Sequence, residues 1–422
     1  MTIRRRRFIR DIATLTALPF TGIASLTIGA CAETPAATSS EAQASVAPGK
    51  APDSIVGTAA GRGSNRAGYR RLLILIELKG GNDGLNTLVP YRDARYYALR
   101  PKLAIARDQA VQLSDRAGLH PALAPLLAHW NRGQLAVLQG VGYPAPNLSH
   151  FRSIAIWDTA SRSDQQLSAG WLTRTFAAAP TPPTFAADGF VIGSYDLGPL
   201  DGGARVLTLG NAPRYAATGV DAPGHSVAGP EALVHILRTE ADIARAASRL
   251  HGTHAFATRF PASPIGNAVL TACNVVAEVE DVAVVRITQN GFDTHANQAA
   301  TQGRLLGELA QALTALASGL DELHRYDDTL IVTYAEFGRR PHENASGGTD
   351  HGTSSVHFAL GGRIAGGLYG APPALESLSR DGNPVHAIDF RSVYATVLER
   401  WWGVDSAAVL GGRFDTLPII RA

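Results

Sequence analysis

The stretch Arg71–Leu78, RLLILIEL, is apolar at nearly every position, and it limits the possible folds more than any other feature of the chain. A strand with one wet face alternates apolar and polar residues, whereas an unbroken apolar run marks a strand covered on both faces. Three further runs share this character: Leu135–Val141, Val282–Thr288 and the start of DTLIVTYAEFG. Helical patterns separate them. HPALAPLLAHWNRG stops at Gly133, ATQGRLLGELAQALTALASGLDEL leads into the fourth run, and DFRSVYATVLERWWGV follows later as an amphipathic helix. Buried strands alternating with helices predict an α/β fold, a three-layer sandwich around a mainly parallel sheet. With 45% hydrophobic and 18% charged residues, the chain has the material for such a core. From Ser161 to Gly266 the pattern weakens among Pro, Gly and Ala, and this part reads as insertions within the same domain. The chain shows no internal repeats.

The first thirty residues read as a targeting segment. RRRRFIRD carries a twin-arginine pattern, with Arg5-Arg6 as the pair and Phe8-Ile9 as the apolar positions. The uncharged stretch Ile12–Ala30 that follows is weakly hydrophobic and interrupted by Pro19 and Gly22, a poor membrane span. IGAC, ending at Cys31, resembles a lipobox, while ACA also fits ordinary signal cleavage; the lipid-anchored form is favoured. Residues 33–68, rich in Ala, Ser and Pro, cannot bury enough apolar surface to order themselves and read as a disordered leash. The expected organisation is therefore signal at 1–32, linker at 33–68 and one folded domain at 69–422. It places the protein in the periplasm or on the cell surface, in contact with membrane only through the signal or a lipid. Export of residues 1–30 removes five arginines and one aspartate, turning a formal charge of +2 into about −2. No basic patch argues for nucleic acid. Cys273 then has no partner within the chain, so a structural disulfide is not expected.

In an open α/β sheet, ligands bind beyond the carboxyl ends of the strands. Four such ends carry unusual residues. The first run enters Gly80-Gly81-Asn82-Asp83; the second passes through GYPAPNL to Ser149-His150. The third ends near Asp293-Thr294-His295, and the fourth at Glu336-Phe337-Gly338-Arg339, followed by GGTDHGTS with Asp350 and His351. Asp293 and His295, two apart in extended chain, point the same way and suit one ion. Asp350-His351 among glycines is either an Asx-type turn or a pair of ligands. Glu336 reads equally as a ligand or as a partner of Arg339. Asp83 is taken as a metal ligand, with Asn82 beside it contacting substrate or supporting the site. Ser149 reads as a helix N-cap and also as a nucleophile at a helix start beside a cation. His150 stays open between ligand, proton donor and core. The implied cofactor is a divalent metal, Zn or Ca/Mg/Mn, as one or two ions.

GGNDGLN, SHF, DTH, EFGR and GTDHG, in this order, resemble domain-of-unknown-function family 1501 over roughly Arg70 to Val404. That family is a set of twin-arginine-exported bacterial proteins grouped with the alkaline-phosphatase-like superfamily of phosphatases and sulfatases. The resemblance implies an alkaline-phosphatase-like fold, Asp83 at the first metal position, Ser149 as nucleophile, and Asp293 with His295 at the next. The superfamily's Asp-His pair falls on Asp350-His351 by letters, or on Glu336-Phe337 by strand position. The second placement, which makes His351 the last histidine, is preferred. Phe337 offers no ligand, and His357 is the nearest substitute. Leu148 stands where the family commonly has Arg. The implied activity is an exported metal-dependent hydrolase of phosphate or sulfate esters on small molecules or glycans, with Arg339 steadying an anionic oxygen. The alternative is a non-catalytic metal- or glycan-binding component of an exported envelope assembly, with a partner protein.

Overall fold

The computed structural model describes residues 68–210, 254–279 and 281–421, all within the unit Gly63–Ala422. The signal segment, Cys31 and the linker lie outside the described residues. Strand β1 (Leu72–Lys79) is followed by a small three-stranded sheet of β2 (Leu88–Val89), β3 (Val111–Gln112) and β4 (Gly118–Leu119). The main sheet continues with β5 (Leu135–Gly142), β6 (Gly189–Ile192), β7 (Val206–Leu209), β8 (Val284–Asn290) and β9 (Thr329–Tyr334). A short hairpin, β10 (Arg339–Glu343) and β11 (Thr349–His351), precedes β12 (Ser355–Leu360), β13 (Gly367–Tyr369) and β14 (Ile388–Asp389). The main-sheet order is β13-β5-β12-β9-β1-β8-β6-β7, with β14 also on β5. Every pairing in it is parallel except those of β12, which runs against both β5 and β9.

β1 lies at the centre, with Leu73 opposite Val284 on one side and Leu330 on the other. Both of its faces are covered, which is why its sequence does not alternate. Leu72, Ile74 and Ile76 enter a core under the helices Pro264–Glu278 and Gln298–Glu322. Leu73 and Leu75 enter a second core under the helices His150–Thr159, Trp171–Ala178 and Phe390–Ala395. The three-layer α/β sandwich is therefore present. Two segments differ in detail from the sequence reading. HPALAPL forms a 3-10 turn, Pro121–Leu126, because Pro125 withholds an amide, and only Leu127–Asn131 is α-helical. The late helix passes from Phe390–Ala395 into a π-helical stretch, Thr396–Trp402. Within Ser161–Gly266 the structure adds β6 and β7, too short and too closely flanked by Pro and Gly to show a period. Among the described residues, no helix is long and apolar enough to cross a membrane.

Candidate metal centre

β5, β9, β1 and β8 are parallel, so their carboxyl ends share one edge, and the loops that follow them meet there. β1 leads into Gly80 and Gly81, both in the left-handed region at φ 116° and 80°. A Cβ on Gly80 would stand 2.4 Å from the Asp293 amide nitrogen, and one on Gly81 2.5 Å from the Phe337 ring. The glycines therefore admit the loops after β8 and β9, not a ligand. The Gly80 amide donates to Glu336 Oε1 at 2.9 Å, and the Gly80 and Gly81 carbonyls accept from Arg339.

Three histidines converge on the Asp293 carboxylate. His150, the first residue of its helix, has Nε2 3.4 Å from Asp293 Oδ2. His351, at the end of β11, has Nε2 3.2 Å from Asp293 Oδ1, and His295 has Nε2 3.0 Å from the same atom. Behind each ring stands an oxygen. His150 Nδ1 lies 2.8 Å from Glu336 Oε1, His351 Nδ1 2.8 Å from the Leu148 carbonyl, and His295 Nδ1 3.4 Å from Asp350 Oδ1. An acceptor at Nδ1 draws the proton there and leaves the Nε2 lone pair facing inward. The Nε2 atoms of His295 and His351 are only 3.0 Å apart, a separation that needs a proton or a cation close by. Ligand atoms of His150, Asp293 and His351 all lie within 4.8 Å of one another, a spacing able to hold a metal ion.

Charge is arranged to match. Burial raises the Asp293 carboxyl, but the hydrogen bond and charge of Arg339, with His351 and His295, outweigh it and hold the group at about 2. His150 is raised from the ordinary value by its hydrogen bond to Glu336, against the effect of burial. Asp350 is lowered, first by Asn344, whose amide donates to it at 3.2 Å and to the His295 carbonyl at 3.0 Å.

The other residues singled out in the sequence sit around this cluster in different ways. Glu336 is buried and faces the back of His150, not the Asp293 carboxylate, and it makes no pair with Arg339. Arg339 has no exposed side chain: it donates to the carbonyls of Gly80, Gly81, Phe292 and Thr349 and to Asp293 at 2.6 Å. It holds the floor of the site and offers nothing to an incoming oxygen. Asp83 is not brought to the cluster. Its carboxylate caps Leu85, takes Arg100 twice at 2.6 and 3.0 Å, and accepts from Gln298, all out of solvent. Asn82 is buried against Thr87 and Gln302. His357 is buried in β12, edge-on to Trp157, so it supplies no imidazole here. Ser149 occupies the N-cap position of its helix without the side-chain bond a cap makes, and its hydroxyl is exposed one residue from His150. The sequence reading missed Arg100, Asn344 and the Leu148 carbonyl. Asn344 had a signal, an Asn ahead of Ser-Gly-Gly as in an Asx turn; a backbone carbonyl has none.

A family model described as "Protein of unknown function (DUF1501)" matches residues 70–412. No curated protein matches the chain. Among solved structures, it is similar to a Vibrio parahaemolyticus protein in the alkaline phosphatase superfamily, with 10% identity, 83% of this chain and 70% of that chain covered, and a TM-score of 0.41. Another is the lipoteichoic acid synthase LtaP from Listeria monocytogenes, at 8% identity, covering 82% and 75%, TM-score 0.36. The sulfatase PsFucS1 from Pseudoalteromonas sp. has 12% identity, covering 82% and 70%, TM-score 0.37. Likeness this faint carries no residue correspondence.

Proposed function

The chain belongs to the DUF1501 family, and from that premise we propose that it is an exported, metal-dependent hydrolase of phosphate or sulfate esters. The observation that carries the reading is the turning of three histidine Nε2 atoms onto one carboxylate, each ring backed by an oxygen. His150, His295, His351 and Asp293 would hold a single ion. Three nitrogens and one oxygen suit zinc better than calcium or magnesium, which prefer oxygen donors. When bound, such an ion would polarise the ester oxygen and make a neighbouring hydroxyl more acidic.

The chain's own groups divide the remaining work. Arg339 keeps Asp293 ionised and in place. Glu336 and Asp350 hold protons on the outer nitrogens of their histidines, which fixes the ring orientations. Ser149 is the proposed nucleophile, at a ten-residue helix N-terminus whose free amides favour an anionic group. The twin-arginine pattern and Cys31 support export to the periplasm or cell surface with a lipid anchor, and the substrate is an anionic ester. Metal analysis of the purified chain, with aryl phosphate and aryl sulfate assays, tests the proposal. Ser149→Ala should abolish turnover and retain the ion. Because the hydroxyl makes no cap bond, the same change should cost less stability than the roughly 0.5–2 kcal/mol of a lost cap. Full turnover in that variant rules out the nucleophile, and a metal-free wild type rules out the centre.

A further inference from the structure

Among the described residues, four large apolar side chains stand exposed: Phe151 at 90%, Tyr195 at 95%, Val385 at 66% and Leu167 at 37%. Single exposed residues are ordinary on a surface, but three of these lie at the edge that carries the metal centre. Phe151 follows His150 in the helix after β5. Tyr195 lies in the loop after β6, and its neighbour Asp196 holds Lys79 at 3.2 Å. The Lys79 carbonyl in turn accepts from Phe292, next to Asp293. Val385 precedes β14, where the Pro384 carbonyl takes the Thr353 hydroxyl two residues past His351. Phe151 is thus one residue from His150, and Tyr195 one residue from the Asp196 that holds Lys79 at the end of β1, so both aromatic side chains stand beside the centre.

The charges along this edge are mostly negative. Asp293, Asp350 and Asp196 have side chains 46%, 58% and 42% exposed. Of the nearby cations, Arg340 is half-buried and acts on Asp350, and the others are occupied. Arg339 is buried, Lys79 pairs with Asp196, and Arg152 donates to the carbonyls of Arg162, Ser163 and Gln165. A polyanion would meet repulsion from the three exposed carboxylates, offset by Arg340 and by an ion held by the histidines. A lipid would need a continuous apolar patch, whereas these side chains are separated by carboxylates. An uncharged ring with a flat C–H face on one side and hydroxyls around its rim suits exposed aromatic faces spaced along a polar cleft. We infer that the body of the substrate is a sparsely charged oligosaccharide laid along the sheet edge, stacked on Phe151 and Tyr195 and presenting one anionic ester to the centre. The ester rests on the hydrolase reading; the stacking does not.

The test is retention of the full, zinc-loaded chain on a panel of neutral, singly sulfated or phosphorylated, and polysulfated oligosaccharides, with anionic lipid vesicles alongside. Neutral and singly charged glycans should be retained. Phe151→Ala and Tyr195→Ala should each weaken retention about tenfold, as expected for loss of an aromatic contact, while Phe151→Tyr and Tyr195→Phe keep it. Both side chains are in solvent, so all four variants should melt with the parent. Preference for polysulfated chains, retention on vesicles alone, no glycan retained, or alanine variants that bind like the parent would each overturn the inference. Glycan retained with no phosphate or sulfate released defeats the hydrolase reading alone. Ester turnover with no glycan retained defeats this inference alone.

Discussion

Glu336 shows how far a single residue can differ from its reading by position. Following an apolar strand, it looked like a ligand or a partner for Arg339; in the fold it is a buried acceptor for Gly80 and His150. Position along the chain placed it at the site, but only the loop packing determined which way it faces. Asp293-x-His295 was easier to read, because its two ligand types stand close together and follow a strand end. Asp83 could not be read, since Arg100 reaches it from a different element. Glu336→Gln keeps the shape and an acceptor for Gly80 but loses the charge behind His150. Zinc affinity should fall about 10- to 100-fold with the fold retained, measurable by competition with a chelator. Unchanged affinity would remove Glu336 from the support of the centre. Because protons compete for His150, whose value is raised, zinc binding should also weaken as pH drops through and below the neutral range. A pH-independent zinc affinity would count against histidine ligation.

At the scale of elements, long apolar strands were legible because burial on both faces removes the polar half of the pattern. β8 begins two residues later than its apolar run, although Val282 and Ala283 are buried and the Ala283 carbonyl already accepts from the Leu73 amide at 2.9 Å. That β12 runs antiparallel to its neighbours was not legible, because direction leaves no mark on composition. Helix packing was equally silent about Gly319. A Cβ there would lie 2.9 Å from Cys273 Sγ and 3.0 Å from Phe260, where the helix Gln298–Glu322 crosses Pro264–Glu278. Gly319→Ala should therefore destabilise by roughly 1–3 kcal/mol, despite alanine's better helix propensity. Cys273→Ala in the same chain should recover most of the loss. A Gly319→Ala variant as stable as the parent in urea would show that the contact relaxes freely.

For the whole molecule, the alternation of strands and helices was enough to expect one sheet with its site at the carboxyl edge. The number and order of strands were not legible, since β6, β7, β13 and β14 are short. Acid sensitivity follows from residues spread through the fold. Burial lowers His120 and His129 to about 4 and His357 to about 3, and neither ring nitrogen of His357 has a hydrogen-bond partner. Each binds its proton more readily in the unfolded chain. Their neutral forms leave stability intact above about pH 6.5, and it is lost progressively as pH falls toward 4 and then 3. The limiting loss is on the order of 3–5 kcal/mol apiece. Urea midpoints should drop steeply between pH 7 and pH 4.5, and His357→Phe should flatten the decline. Equal midpoints at the two pH values would contradict burial of uncharged histidines.

β1 has a consequence for how the chain comes to be folded. It is the first strand among the described residues, yet its two neighbours begin only at Val284 and Thr329. The centre of the sheet therefore stays without a ladder through most of synthesis, and loop closure over such separations is slow. An emerging chain would present an aliphatic strand with both edges open, the kind that pairs wrongly with a second chain. Fragments that stop before β9 should accumulate as aggregates, and productive folding should begin only after nearly the whole polypeptide has left the ribosome.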